Sequence, residues 1–193
     1  NNTLYDNVTF PKGEDALDQF YKQMVPDTGK FDVDVVADAM DASFDKIGDG
    51  ILVTHSAGGG PGWTTAMRNP HVKGVISLEP GTFPFPKHEA PETEVTTSPF
   101  PAAPTVVSDE DFEKITKIPI VVYFGDNIPT GTTPVENWGQ DNWRVRLNLA
   151  HKWADVVNAH GGDVTIISLP DEGIKGNTHF MMADLNNRDV ADH

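Results

Sequence analysis

The run Ile51-Leu52-Val53-Thr54 passes through His55 and Ser56 straight into Ala57-Gly58-Gly59-Gly60-Pro61-Gly62. A short apolar, β-branched run of this kind reads as a strand buried on both faces of a parallel sheet. The small residues that follow let the chain reverse tightly into a helix. This junction needs further parallel strands beside it and helices to return the chain between them. Three more runs supply them: Val72 to Leu78 (VKGVISL), Ile118 to Gly125 (IPIVVYFG) and Val164 to Leu169 (VTIISL). The intervening segments carry helical periodicity. The alternation predicts an α/β class with a parallel sheet and helices on both faces.

Residues 14–25 place Leu17, Phe20, Tyr21 and Met24 on one helical face, stopped by Pro26-Asp27-Thr28-Gly29. Residues 31–47 place Val33, Val36, Met40, Phe44 and Ile47 on another, with Asp32, Asp34, Asp38, Asp41 and Asp45 mostly around a solvated side. A short helix is expected over 109–115, N-capped by Ser108, with Asp111 completing an imperfect capping box. Residues 140–160 form a long helix whose inner face holds Val145, Leu149, Trp153 and Val156, with Gly161-Gly162 as its stop. A last helix is expected over 180–192. Residues 80–108 hold seven of the chain's 15 prolines and show little periodicity, which reads as a functional loop or lid.

At 193 residues the prior is one domain, and no internal repeat is present. The chain begins Asn1-Asn2-Thr3 without Met and stops at Asp192-His193 inside a helical pattern, so it reads as part of a longer protein, incomplete at both ends. With 14 basic against 29 acidic residues the net charge is −15, which argues against a nucleic-acid partner and an anionic membrane surface. The absence of cysteine removes a disulfide framework, a thiolate zinc site and a cysteine nucleophile. The apolar runs are far shorter than the ~20 residues of a membrane span.

In open parallel sheets, functional groups collect beyond the carboxyl ends of the strands. Ser56, Glu79 and Asp126 stand there, and His179 follows the fourth strand by ten residues. Thr54-His55-Ser56-Ala57-Gly58, between a strand and a glycine-rich helix start, fits a nucleophile elbow, which lifts the serine hydroxyl clear of the sheet. The Ala57 N–H is then placed to bind a developing oxyanion. Thr54 departs from the usual Gly-x-Ser-x-Gly pattern. A phosphate-binding turn is the rival reading of Gly58, Gly59, Gly60 and Gly62, but no Lys follows before Lys73 and Pro61 breaks the dinucleotide spacing.

A serine hydroxyl needs a base, and the base an orienting acid. His179 is the candidate base, in the chain order serine, acid, histidine. His151 and His160 read as surface residues, His71 and His88 have no acid partner in view, His193 is terminal, and His55 reads as packing beside the nucleophile. Asp126 ends the third strand after Gly125, and Glu79 ends the second before Pro80. Either could orient the imidazole. A glutamate buried at a strand end needs a cationic or hydrogen-bonding partner, which favours Glu79, with Asp126 as the alternative acid; the one that does not orient the imidazole would support the loop before His179 or bind a group behind the site.

The stretches THSAGGGPGW, ISLEPG, IPIVVYFGDNIP and GNTHFMMADLN resemble the second half of an α/β-hydrolase, over nearly the whole chain. The resemblance is closest to a branch of secreted bacterial and fungal serine esterases. It implies that 51–55, 72–78, 118–125 and 164–169 are strands five to eight of that fold. Strands one to four, and the loop supplying a second oxyanion donor, would lie in the same or another chain. It also implies that the acid is Glu79, after strand six. The activity implied is hydrolysis of carboxylic esters through an acyl-enzyme, without metal or cofactor. Ser56 attacks, His179 shuttles the proton, Glu79 orients it and Ala57 binds the oxyanion.

Residues 1–30 and 80–108 would act as cap or pocket borders, with Phe83, Phe85 and Phe100 favouring an apolar ester group. The competing reading is a non-catalytic fragment or binding domain on the same fold. The partner expected is a small-molecule ester, and the fold admits a homodimer. The motifs Asn1-Asn2-Thr3 and Asn7-Val8-Thr9 match N-x-[ST] and lean towards a secreted or periplasmic protein.

Overall fold

The computed structural model describes residues 4–26 and 29–193. The Asn1 sequon and the Asp27-Thr28 core of the expected helix stop lie outside them. In chain order the elements are α1 (Glu14–Lys22), α2 (Val33–Ile47), β1 (Gly50–His55), a 3-10 turn (Ser56–Gly58) running into α3 (Gly59–Arg68), and β2 (Val72–Leu78). There follow β3 (Pro84–Pro86), β4 (Thr105–Val107), α4 (Asp109–Ile115), β5 (Pro119–Phe124), α5 (Trp138–Ala159) and β6 (Asp163–Ser168). A 3-10 turn (Met181–Ala183) and α6 (Asn187–Asp192) close the chain. The four expected strands form one parallel sheet in the order β1-β2-β5-β6.

Alternation along each strand sorts side chains to two faces. Leu52, Val75, Ile120, Val122, Phe124 and Val164 point to one face and join the main core with Phe44 of α2, Trp63 of α3, Phe112 and Ile115 of α4, and Trp153 and Val157 of α5. On the other face, Tyr123, Leu169 and Met181 pack with Val121, Ile167 and Val190 of α6. Helices therefore flank both faces, unequally. The expectation that 51–55 is buried on both faces is not met in this chain. Ile51 and Val53 are 55% and 61% exposed, because among the described residues β1 ladders with β2 alone and the apolar cluster on that face takes in residues of β2, β5 and β6 but none of β1.

Capping chemistry sets the helix starts. Asp32 accepts from the Asp34 and Val35 N–H groups, Ser108 from Asp111, and Asn137 from Gly139 and Gln140. On α2 the buried positions are Ala37 and Phe44, while Val36 and Ile47, expected on the core face, are exposed. The stripe that meets α3 runs Val33-Ala37-Met40-Phe44, to one side of both. The aspartate side is not merely solvated, since Asp34 and Asp38 pair with Arg68 at 2.5 and 3.1 Å.

Three further expectations are corrected. Residues 80–108 are not structureless: β3 and β4 pair in parallel, Pro84 with Thr105 through Pro86 with Val107. Phe83 and Phe85 are fully buried in the main core, Phe83 against Trp63 and Trp153, and Phe100 lies against Trp138, so they do not border the site. The helix expected over 180–192 is split, because Asp184 turns inward to bond the loop before it.

Candidate active site

The site is built at the carboxyl ends of β1, β2 and β5. Ser56 follows β1 with φ of 54°, in the left-handed region that costs a non-glycine residue ~1–3 kcal/mol. Two glycines make this turn fit. A Cβ on Gly62 would lie 2.4 Å from Thr54 Cγ2, and one on Gly59 would lie 2.6 Å from Pro80 Cβ. Helix α3 therefore approaches the strand ends more closely than any side chain would permit. Ala57 is exposed one residue beyond Ser56, where the first N–H groups of a helical run have no partner within it.

Glu79 follows β2 directly, also with positive φ, at 42°. It is 2% exposed. Its Oε1 accepts the Gly125 N–H at 2.7 Å, and its Oε2 accepts His179 Nδ1–H at 2.5 Å. A carboxylate only accepts, so Nδ1 carries the proton and Nε2 is left as the acceptor. Ser56 Oγ donates to that Nε2 at 2.8 Å. The structure thus brings Ser56, His179 and Glu79 into one unbroken hydrogen-bonded row.

Asp126 stands apart from that row. Its Oδ2 accepts the Gly176 N–H at 2.9 Å, its Oδ1 accepts the Asn127 N–H at 2.6 Å, and its own N–H donates to the Asn177 carbonyl at 2.9 Å. Asp126 therefore braces the loop that carries His179. Asp184, 1% exposed, braces the same loop from the other side. It accepts the Thr178 N–H at 2.7 Å and the Thr178 hydroxyl at 3.0 Å. Burial raises the Asp184 pKa above its usual range, against those hydrogen bonds.

Two other rings lie close to that of His179. Those of His55 and Trp143 each have centroids 4.5 Å away. His55 does more than pack: its Nε2–H donates to the His179 carbonyl at 2.7 Å. Burial lowers the His55 pKa, so the neutral ring is favoured there. His71, for which no acid was in view, pairs at the surface with Asp49 at 2.8 Å.

A cavity of about 310 Å³ opens beside His179 on the acid side, lined by Tyr5, Val8, Asp126, Ile128, Gln140, Trp143 and Glu79. Leu4, Tyr5 and Val8 of the N-terminal segment line it, and Ser56 is not in its wall. Next to the lining residues Gln140 and Trp143, α5 carries a buried ion pair. Arg144 donates to Asp141 at 2.6 Å and to Glu94 at 2.5 Å, and also to the carbonyls of Val95 and Gly131. Burial alone would raise the Asp141 pKa, yet bonds from Arg144, Thr96, Val135 and Thr97 hold it well below the usual range.

Sequence reasoning missed Trp143, Asp184 and the His55 bond to His179. Trp143 sits inside the long α5 pattern with nothing to distinguish it from a core position. Asp184 lies five residues after His179 in N-T-H-F-M-M-A-D and reads as one more surface acid. Among the described residues, no cluster of three or more His, Cys, Asp or Glu is arranged to hold a metal. Nor is any helix among them long and apolar enough to cross a membrane.

No protein-family model matches the chain. It is 27% identical over 178 residues to the probable secreted lipase phiG of Fungal sp. (strain ATCC 74256), covering 80% of this chain and 47% of that protein. It also superposes on the structure of a novel bacterial esterase with a TM-score of 0.73 and 30% identity, covering 99% of this chain and 50% of that one. The chain thus spans about half the length of the relatives it matches. Taken with the parallel sheet, its flanking helices and the tight turn after β1, these likenesses identify an α/β-hydrolase-like fold.

Proposed function

We propose that this chain carries the catalytic groups of a serine esterase. The observation that carries the reading is the unbroken row from Ser56 Oγ through His179 to the buried Glu79 carboxylate. Ser56 Oγ attacks the ester carbonyl carbon while its proton passes to His179 Nε2. The imidazolium is stabilised by Glu79, which is already desolvated and aimed at Nδ1. The oxyanion of the tetrahedral adduct takes a hydrogen bond from the Ala57 N–H. His179 then returns the proton to the leaving alcohol, giving an acyl-enzyme that water resolves by the same steps. Asp126, Asp184 and His55 position His179 and take no proton. The chemistry assigned to these residues calls for no metal or cofactor.

The lipase relative and the esterase structure support ester substrates, and the name of the former supports a secreted protein. Exposed Asn7, in its N-x-[ST] motif, is compatible with that. The chain acts as one domain that makes up the second half of the fold, with β1, β2, β5 and β6 as strands five to eight. Its first half pairs with the free edge of β1 and covers the apolar groove of about 380 Å³ lined by Ile51, Ile76, Val121 and Ile167. That half brings the second oxyanion donor.

The test is hydrolysis of p-nitrophenyl acetate and butyrate by the protein and by its Ser56→Ala variant. Turnover by the parent that falls at least roughly 10³-fold in the variant supports the reading. Residual turnover within about tenfold of the parent removes Ser56 from the nucleophile role. No turnover by either protein favours a non-catalytic fragment or binding domain.

A further inference from the structure

The chain has four arginines, set among 29 acidic residues. Arg68 pairs with Asp34 and Asp38, Arg144 pairs with Asp141 and Glu94, and Arg188 is exposed. Arg146, on α5, is half-buried and forms no ion pair with a carboxylate of the described residues. A chain with so many acids has left a partly desolvated guanidinium without one, and an unpaired buried charge is costly. Burial lowers the basicity of Arg146, but a guanidinium stays charged.

The head group is fixed beside the reacting residues. Nε donates to the Gly81 carbonyl at 3.1 Å and Nη1 to the Asn142 carbonyl at 3.1 Å. The guanidinium carbon lies 5.6 Å from the centre of the Trp143 ring, which itself lies against His179. The Gly81 N–H donates to the Ser56 carbonyl at 3.1 Å. Two hydrogen bonds and one glycine therefore separate the Arg146 head group from the Ser56 backbone carbonyl, a span within about 10 Å. A guanidinium has five N–H groups, and only Nε and Nη1 are engaged. The Nη2 edge has no acceptor among the described residues, and that planar edge matches a carboxylate.

We propose that Arg146 binds a carboxylate carried by the ester, so that the site takes half-esters of short dicarboxylic acids, such as a monoalkyl glutarate. This rests on the esterase reading above. The carboxylate would complete the guanidinium's bonding while Ser56 attacks the ester carbonyl at the other end of the same acyl chain.

The test compares monoethyl glutarate with ethyl pentanoate, followed by pH-stat, in the parent, Arg146→Gln and Arg146→Lys. The expected result is a fall of roughly 10–100-fold in the ratio of kcat/KM for the half-ester to that for the neutral ester in Arg146→Gln, mainly through KM, with partial recovery in Arg146→Lys. An unchanged ratio overturns the proposal. Glutarate binding by calorimetry supplies a readout free of turnover. Binding to Ser56→Ala that is lost in Ser56→Ala/Arg146→Gln supports the carboxylate site, and binding that is absent or unaffected overturns it. If neither ester is cleaved, the esterase reading fails and the glutarate titration still decides the role of Arg146.

Discussion

The Gly125 N–H donates to Glu79 Oε1 at 2.7 Å, which leaves Glu79 Oε2 to face His179. One backbone donor from the neighbouring strand end thus holds a buried carboxylate in the orientation that a histidine partner needs. Asp126, the next residue along, is occupied with Gly176 and Asn127. Removing the orienting acid of a serine hydrolase typically costs ~10⁴ in turnover, whereas a residue acting one step removed costs ~10–100. Glu79→Gln is therefore expected to lower kcat at least roughly tenfold further than Asp126→Asn on the same ester. The reverse order would assign the acid to Asp126.

Gly125 is required for space rather than for φ. A Cβ there would lie 2.9 Å from Glu79 Oε1 and 2.9 Å from the Asn177 carbonyl. Gly125→Ala should destabilise the fold by ~1–3 kcal/mol, as overpacking does, and should lower kcat by pushing Glu79 or the His179 loop aside. Urea unfolding and ester turnover on the same preparation check both parts. A variant with parental stability and turnover would show that this contact is slack.

His55 carries a pH signature. Burial lowers its folded pKa below the ordinary value of 6.5, so the unfolded chain binds the proton more readily. Its contribution to stability is present above pH 6.5 and is lost as pH falls through the folded value. Protonation would also set a cation against the His179 ring, 4.5 Å away between centroids. The protein should melt lower at pH 5.5 than at pH 7.5, and His55→Gln should narrow that difference, because Gln can still donate to the His179 carbonyl but does not titrate. Thermal melts of both proteins at the two pH values are the check. An undiminished difference would assign the acid sensitivity to other groups.

Much of this arrangement was legible in the sequence because parallel strands announce themselves as apolar runs and functional side chains follow their carboxyl ends. Ser56, Glu79, Asp126 and His179 stand out in the sequence as residues that close such runs or follow them. What stayed hidden depends on partners distant in the chain. Phe83 and Phe85 fall in a proline-rich stretch without periodicity, and only the pairing of β3 with β4 turns them into the core. Val53 reads as buried because its neighbours are apolar, yet its exposure depends on which strand lies beside β1. Asp184 breaks the last helix for the sake of two bonds to Thr178, a choice no helical pattern records.

The central claim is that Ser56 is a nucleophile activated by His179 and Glu79, and active-site labelling tests it most directly. The protein is treated with a fluorophosphonate, its intact mass is measured, and the adduct is located by peptide mass spectrometry. The account predicts a single phosphonyl adduct on Ser56, absent from Ser56→Ala and formed much more slowly in His179→Ala. An unlabelled parent protein, or an adduct on another residue, would contradict it.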